Sequence, residues 1–278
     1  MTDVAGSVLD PELGDHVCLP FAGEGERIAA TRLFTANGLR RGARVLIVTC
    51  ARTPEETRAW LAPAVPGLAR AEAEGRVVIR PAGGTSLTCG RPDPGRVLKG
   101  LSAAVEQAGQ DGHAGLYALV DAAWGARDPA RQTTCEAVSN PLFGERRLAS
   151  VCQYDVRLFS GEAVERAASV HPIAPERAAL RYAATSRPPG LRLSGDVDLT
   201  NRQALASVLA PLEREPGEVV VDATAMGFID AGSAQLLSAT ALARQGRPTV
   251  VVCGEAVARV LRLVRADALL TVRRGDGG

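Results

Sequence analysis

Lysine, histidine and aromatic residues are scarce in this chain of 278 residues. Lys99 is the only lysine, histidine occurs three times, and Phe, Trp and Tyr together make up 4% of the chain. So few aromatic rings argue against a base-stacking platform for single-stranded nucleic acid. The formal net charge of +1 argues against direct nucleic-acid binding of any kind, because such binding needs a strongly basic surface.

Signals for secretion and for membrane insertion are also missing. No apolar run is long enough for a membrane span, and residues 1–14 lack a basic start followed by an apolar segment. The six cysteines form no Cys-x-x-Cys pair, which is the usual sign of a redox or zinc motif. These patterns predict a cytoplasmic protein with reduced thiols and no membrane contact.

Common catalytic motifs are absent from the sequence. It has no Gly-x-Ser-x-Gly nucleophile elbow, no His-Glu-x-x-His metal motif and no Gly-x-Gly-x-x-Gly dinucleotide loop. Asp196 and Asp198 are two close carboxylates, but they lie in a predicted turn, where turn chemistry explains them. A function without catalysis is therefore favoured.

The apolar residues of the first half predict an α/β fold. Runs without polar alternation occur at residues 45–49, 77–79, 116–120 and 151–153, which is typical of parallel strands covered on both faces. A helical apolar pattern at residues 97–108 lies between two of these runs. Residues 82–95 are rich in Gly, Pro, Ser and Thr, and predict a surface loop that serves as a lid.

Three consecutive segments of the first half carry a family resemblance: residues 14–21 (Gly-Asp-His-Val-Cys-Leu-Pro-Phe), the helix leading to Gly-Leu-Arg-Arg-Gly at 38–42, and the strand after it. They resemble the MEDS sensory domain, a relative of RecA-like ATPases. The resemblance covers about residues 10–173 and implies a RecA-like parallel sheet. The predicted ligand-sensing set contains residues at the family's recurring positions or at the strand ends where α/β proteins bind ligands. Its members are His16, Cys18, Trp124, Glu136, Cys152, Tyr154, Asp155 and His171.

A working nucleotide site is not expected in this domain. Residues 21–27 occupy the place of the phosphate-binding loop, yet they lack Gly-Lys-Ser/Thr, and Glu24 and Glu26 would repel an anion. Asp121 ends an apolar strand, as a magnesium-organising aspartate does, but has no full partner set. A nucleotide-binding or hydrolysing enzyme of the RecA-like class remains the alternative interpretation.

Metal binding is a second alternative for the same domain. His16, Cys18, Cys152 and His171 offer imidazole and thiolate ligands that suit zinc or copper, although their spacing has no local signature. Buried thiols and structural histidines explain the same residues. The prediction is that the protein has no metal and no cofactor.

The second half carries a different set of motifs. Four segments follow one another in order: residues 195–199 (Gly-Asp-Val-Asp-Leu), the strand at 219–222 ending in Asp, Phe-Ile-Asp-Ala-Gly-Ser at 228–233, and Thr-Val-Val-Val-Cys-Gly at 249–254. From residue 190 to 273 they resemble the STAS domain of anti-sigma factor antagonists. The resemblance implies a smaller α/β domain that binds an anti-sigma factor or serine kinase-type protein.

The start of the helix after residue 230 is the predicted partner-binding site, formed by Asp230, Ala231, Gly232 and Ser233. In the family a serine at the position of Gly232 is phosphorylated, and here that hydroxyl is missing. Ser233 lies one residue on, about 100° around the helix, so it is a poor phosphosite. The alternative interpretation is that Ser233 helps to satisfy amides in the first helical turn.

The predicted organisation is a MEDS-like domain over residues 1–174, a linker over 175–189 and a STAS domain over 190–278. The predicted function is that of a non-enzymatic signalling regulator, similar to anti-sigma factor antagonists. In it the first domain senses a small ligand or a partner, and the second binds the kinase-type protein. A purely structural scaffold or dimerisation role for the STAS half, and a homodimer, are left open.

Overall fold

The first sheet is parallel throughout. The computed structural model describes residues 10–87 and 93–275, and within these ranges the first half forms five strands. Their order across the sheet is β1-β5-β4-β2-β3, and all four predicted apolar runs lie in strands. The bounds are β1 His16–Phe21, β2 Arg44–Thr49, β3 Val77–Pro81, β4 Leu116–Asp121 and β5 Leu148–Asp155.

Helices cover both faces of this sheet. Asp93, Asp128 and Ser160 cap three of them by accepting hydrogen bonds from backbone amides of the first turn, which is why these helices begin where they do. The bounds are α1 Glu24–Arg40, α2 Pro54–Leu61, α3 Leu68–Ala73, α4 Pro94–Gln110, α5 Pro129–Phe143 and α6 Gly161–Val170. The predicted helix at 97–108 is thus confirmed within α4.

The second domain is a mixed sheet with helices packed against it. The strand order is β10-β9-β8-β7-β6; β6 and β7 pair antiparallel and the other neighbours pair parallel. The strands are β6 Leu180–Ser186, β7 Pro189–Val197, β8 Val219–Ile229, β9 Thr249–Cys253 and β10 Thr271–Arg274. The helices are α7 Arg202–Leu209, α8 Ala231–Ala243 and α9 Glu255–Leu263. The predicted α/β fold class is therefore confirmed for both halves.

Two sequence-based boundaries differ from the structure. The predicted linker at 175–189 contains β6, which pairs with β7 from Leu180↔Gly195 to Ser186↔Pro189. Pro188 lies in the turn of this hairpin and Pro189 begins β7, so neither belongs to a spacer. The strand that the sequence placed at 219–222 is also longer than expected, because β8 runs on to Ile229, with register shifts against β7 along the way.

The two domains share one apolar core. A single cluster of buried side chains includes Leu116, Phe143 and Leu148 of the first domain together with Leu180 and Leu205 of the second. Backbone bonds cross the same boundary, from the amide of Leu180 to Pro172 and from that of Ala184 to Gly144. The halves are therefore packed against each other directly.

Among the residues that the structure describes, none of the helices has the length and apolar character needed to cross a bilayer.

Candidate functional site

A cavity of about 220 Å³ lies between one face of the first sheet and helices α4 and α5. Its walls are mostly apolar, with Val48 and Val120 from the strands and Leu101 and Phe143 from the helices. Trp124 closes one side, and its indole Nε1–H has no hydrogen-bond partner among the described residues. Such a chamber suits a small, largely apolar molecule that brings one acceptor group.

The predicted lid lies partly at this cavity. Thr85, Ser86 and Leu87 line it, while residues 88–92 of the predicted lid fall outside the described residues. Gly100 of α4 approaches this segment so closely that a Cβ there would lie 2.4 Å from Ser86 Oγ. The helix and the segment 85–87 are thus in direct contact beside the cavity.

Helix α5 brings polar side chains to the sheet. Its buried positions recur every three or four residues and are polar for most of its length: Gln132, Cys135, Glu136, Ser139, Asn140 and Phe143. A helix that turns a polar stripe inward must pair each group, since an unpaired buried polar atom is costly. This stripe meets the polar residues of β1 and β5 at the bottom of the cavity.

Four buried side chains from four elements converge there: His16 of β1, Glu136 of α5, Cys152 of β5 and His171 after α6. Glu136 Oε2 lies 3.3 Å from His16 Nε2, 3.6 Å from Cys152 Sγ and 3.9 Å from His171 Nε2. Cys152 Sγ is also 3.6 Å from His16 Nε2. We call these four residues the His–Glu–Cys–His cluster.

Burial sets the protonation of this cluster. It lowers the pKa of His171 to about 3, with repulsion from His16 adding to the effect, so this imidazole is neutral near pH 7. Burial and the neighbouring Glu136 carboxylate raise the pKa of the Cys152 thiol far above its usual value. Burial alone would raise the pKa of Glu136, but its contact with His16 outweighs that effect and lowers it.

The structure divides the predicted ligand-sensing residues into three groups. The cluster takes four of them, Trp124 lines the cavity, and Tyr154 supports the cluster by donating from its hydroxyl to Glu136 Oε1 at 3.3 Å. Cys18 lies next to Cys152 in the strand register but packs in an apolar cluster with Phe159. Asp155 is bound by Arg157, at 2.6 and 2.8 Å, and stays outside the site.

The metal set considered from the sequence is therefore wrong in one member. Cys18 does not join His16, Cys152 and His171, and Glu136 takes the fourth place. Glu136 was predicted as a ligand-sensing residue from the MEDS resemblance, and the inward polar stripe of α5 places it in this set. Cys18, Cys135, Cys152 and Cys253 are free thiols, and Cys89 lies outside the described residues.

An ion pair occupies the edge of the sheet at which the RecA-like resemblance implied a nucleotide site. Arg27 Nη2 donates to Asp121 Oδ2 at 2.7 Å, and both side chains are buried. The same carboxylate accepts from the amides of Cys50 and Ala51, and the guanidinium stacks over Trp60. The Asp121 carboxylate is thus engaged by partners inside the protein.

In the second domain the predicted docking residues surround the first turn of α8. Asp230 is the N-cap and accepts from the amide of Ser233 at 2.6 Å, and it also accepts from Arg202 at 2.6 Å. Ser233 itself is completely buried and its hydroxyl has no partner among the described residues. The interpretation that the Ser233 side chain satisfies helical amides is therefore wrong, because Asp230 does this.

Gly232 is packed against the same arginine. A Cβ added at Gly232 would lie 2.4 Å from Cζ of Arg202, so a serine could not stand there without moving the guanidinium. Ala231 is exposed beside them. Leu199 and Phe228, exposed by 73% and 52%, lie at the same end of β7 and β8. We call Leu199, Arg202, Phe228, Asp230 and Gly232 the docking surface.

Asn140 connects the cluster to the second domain. Its side-chain oxygen lies 2.7 Å from His16 Nδ1, and its amide nitrogen donates to Ser207 of α7 at 2.7 Å. Its backbone oxygen accepts from the hydroxyl of Tyr182 in β6 at 2.5 Å. Helix α7 also carries Arg202, so a single helix contacts both the cluster's support and the docking surface.

Comparisons with known proteins agree with these two halves. A family model described as "MEDS: MEthanogen/methylotroph, DcmR Sensory domain" matches residues 15–172. A second model, described as "Mlab, STAS domain", matches residues 180–271 and so includes β6. No curated protein matches the chain.

Proposed function

Because the chain belongs to the MEDS family and continues into a STAS domain, we propose that it is a non-enzymatic signalling regulator. Its first domain detects a small molecule, and its second domain binds a regulatory protein of the anti-sigma kinase type. The observation that carries the proposal is the path from the cavity through Asn140 and α7 to the docking surface. Two sites linked through Asn140 and one helix are suited to coupling.

The cavity favours a compact ligand. At about 220 Å³ it is smaller than the sites that hold drug-sized molecules, which span about 300–1,000 Å³. Its apolar walls supply the affinity, and Trp124 Nε1 together with the polar end formed by His16, Glu136 and Cys152 supplies the orientation. A small apolar compound with one polar group satisfies both requirements.

The docking surface has the features of a protein contact. Two exposed apolar side chains, Leu199 and Phe228, flank the charged pair of Arg202 and Asp230. Apolar anchors beside a polar pair are typical of protein interfaces. This location is also the one that the STAS resemblance implies for the kinase-type partner.

Control by phosphorylation of this helix does not fit the structure. Gly232 has no hydroxyl, and Ser233 is enclosed, so a kinase would have to unfold the first turn of α8 to reach it. The Arg202 guanidinium instead lies over Gly232. The Arg202 guanidinium thus lies where phosphorylation would add negative charge in the STAS family. We infer that the docking surface stays competent to bind its partner and that the first domain controls this binding.

The Arg27–Asp121 pair supports a role without nucleotide chemistry. Glu26 Oε2 accepts from the amides of Ala22 and Gly23, so the turn before α1 directs its donors to a carboxylate and not to a phosphate. No lysine lies in this turn. Calorimetry with ATP, ADP and magnesium checks this part of the proposal, and magnesium-dependent turnover by the full chain would overturn it.

The decisive experiment measures binding of the full chain to the histidine-kinase-fold anti-sigma proteins of the same cell. We expect the double variant Leu199→Ala/Phe228→Ala to weaken binding by at least about tenfold, because each removes an apolar anchor of the docking surface. Leu263→Ala is the matched control, since Leu263 is 76% exposed and lies on α9, outside this surface. Failure of every such protein to bind contradicts the proposal.

Gating is tested in the same assay. Ala104→Leu adds volume inside the cavity, whereas Ala103→Leu adds the same volume on the exposed face of the same helix. We expect only the first variant to change partner affinity, because it mimics or blocks an occupant of the cavity. Equal affinities for both variants and the unaltered chain would mean that the cavity does not control the docking surface.

A further inference from the structure

The His–Glu–Cys–His cluster has a donor arrangement that protein hydrogen bonds alone do not explain. His171 Nδ1 lies 2.8 Å from the carbonyl oxygen of Ala167, and because an oxygen of this kind only accepts, Nδ1 carries the proton. The Nε2 atom of this neutral ring then carries a lone pair and no proton. It is fully buried, has no hydrogen-bond partner among the described residues, and faces the Glu136 carboxylate at 3.9 Å.

His16 is fixed in the same way. The amide nitrogen of Asn140 donates to Val170 and to Ser207, so its side-chain oxygen must accept, and His16 Nδ1 donates to it at 2.7 Å. The Nε2 of His16 therefore also points at Glu136 Oε2, at 3.3 Å. A proton added at the Nε2 of one imidazole would let that ring donate to Glu136. The Nε2 of the other imidazole would still present a lone pair to the carboxylate.

We propose that the His–Glu–Cys–His cluster is a tetrahedral zinc site with His16 Nε2, Glu136 Oε2, Cys152 Sγ and His171 Nε2 as ligands. A divalent cation among them converts every repulsive lone-pair contact into a bond. Two neutral imidazoles, one carboxylate and one thiolate also balance its charge. The thiol proton of Cys152 leaves to solvent when the ion binds.

The distances fit this ion. A tetrahedron with zinc–nitrogen and zinc–oxygen bonds of about 2.0–2.1 Å and a zinc–sulfur bond of about 2.3 Å has edges of about 3.3–3.6 Å. The carboxylate-to-His16 edge is 3.3 Å, and the two measured edges at Cys152 Sγ are both 3.6 Å. The edge from the carboxylate to His171 Nε2 is longer, at 3.9 Å, and all four ligand atoms lie within 4.8 Å of one another.

The surroundings resemble those that hold metal ligands in place. Each imidazole is oriented by a bond at its other nitrogen, to Asn140 for His16 and to Ala167 for His171. The second carboxylate oxygen of Glu136 accepts from the Tyr154 hydroxyl. Such outer contacts fix the tautomer and the direction of each ligand. The cavity touches three of the four ligands, so an occupant of the cavity would lie against the metal.

The first test is the metal content and coordination of the full chain, purified and then dialysed against zinc and freed of excess ion. We expect about one zinc per chain, and X-ray absorption showing one sulfur at about 2.3 Å and three nitrogen or oxygen atoms at about 2.0–2.1 Å. Less than about 0.2 zinc per chain, or a zinc shell without sulfur, overturns the proposal.

The second test uses two buried cysteines that are register partners on neighbouring strands. With cobalt in place of zinc, we expect a thiolate-to-cobalt absorption band that disappears in Cys152→Ser and persists in Cys18→Ser. Equal behaviour of the two variants, whether both lose or both keep the band, counts against the site.

A third variant guards against a folding defect in Cys152→Ser. Glu136→Gln keeps the side chain's size and removes its charge, and we expect it to weaken zinc affinity by at least about tenfold. Unchanged affinity in a folded Glu136→Gln protein overturns the assignment of this ligand. These readouts concern metal alone, so they are independent of whether the anti-sigma partner is correct.

Discussion

At the scale of single residues, Arg27 and Asp121 form a buried ion pair at the edge of the first sheet. The arginine lies in the first turn of α1, and the aspartate ends strand β4. Their side chains are 4% and 5% exposed, so neither charge is free for solvent. The pair is therefore a structural element of the sheet edge.

We expect Arg27→Leu to lower the free energy of unfolding by about 3 kcal/mol, because it leaves the Asp121 carboxylate buried without its counter-ion. The three backbone amides that remain on Asp121 keep the effect at the lower end of the usual range. Urea denaturation measures it. Arg70→Leu, which removes an exposed pair with Glu74, is the control and should leave the midpoint unchanged. Equal effects would show that burial of Arg27 is not what matters.

The residues of the cluster show what a sequence can and cannot reveal. His16, Cys152 and His171 could be identified because they lie at recurring positions of the MEDS family or at strand ends where α/β proteins bind ligands. Cys18 was included for the same reason, but although it is the register partner of Cys152 it packs among apolar side chains such as Phe159 and lies outside the cluster. The pairing of Glu136 with these residues depends on the packing of α5 on the sheet, which no local pattern encodes.

At the scale of elements, strands were the most predictable part of the fold. The apolar runs of the first sheet are long and uninterrupted, because parallel strands are buried on both faces. Strand β6 was missed because it is an edge strand with alternating burial, flanked by prolines that indicate a loop. Its existence depends on pairing with β7, which is a tertiary contact.

The start of helix α8 gives a prediction on pH. Burial by itself raises the pKa of Asp230, but the amide of Ser233 and the guanidinium of Arg202 outweigh it and hold the pKa below its ordinary value of 3.8. A carboxylate with a lowered pKa in the folded state stabilises the protein above the unfolded pKa. That contribution falls as the pH drops through the lower folded value.

Asp230→Asn keeps a capping side chain and removes the charge. We expect the unaltered protein to exceed this variant in free energy of unfolding by about 1 kcal/mol at pH 7, with the same difference down to about pH 4. Below that pH the difference should shrink, because the carboxylate gains its proton. Urea titrations of both proteins at several pH values provide the measurement. A difference that grows on acidification contradicts the predicted sign.

At the scale of the whole molecule, the common core predicts a single unfolding transition. Both tryptophans, Trp60 and Trp124, lie in the first domain, so their fluorescence reports that half alone. Circular dichroism reports the helices of both halves. Since Phe143 and Leu205 belong to one apolar cluster, we expect the two signals to give the same urea midpoint. Separate midpoints would show that the halves unfold independently.

The variant Tyr182→Phe tests the same boundary more finely. It removes the hydroxyl that donates to Asn140 and keeps the ring in the core. We expect both signals to move to lower urea together, since the lost bond belongs to both halves. Movement of only one signal is incompatible with a shared core.

Strand β6 bonds forward into its own sheet and backward to Gly144 and Pro172 of the preceding domain. A recombination event that joined a different first domain at residue 174 would bring this strand against a surface that did not evolve to receive it. The strand must then either lose its backward bonds or be replaced along with the first domain. Inheritance of the two domains is thereby tied together, and each is constrained to change in step with the other.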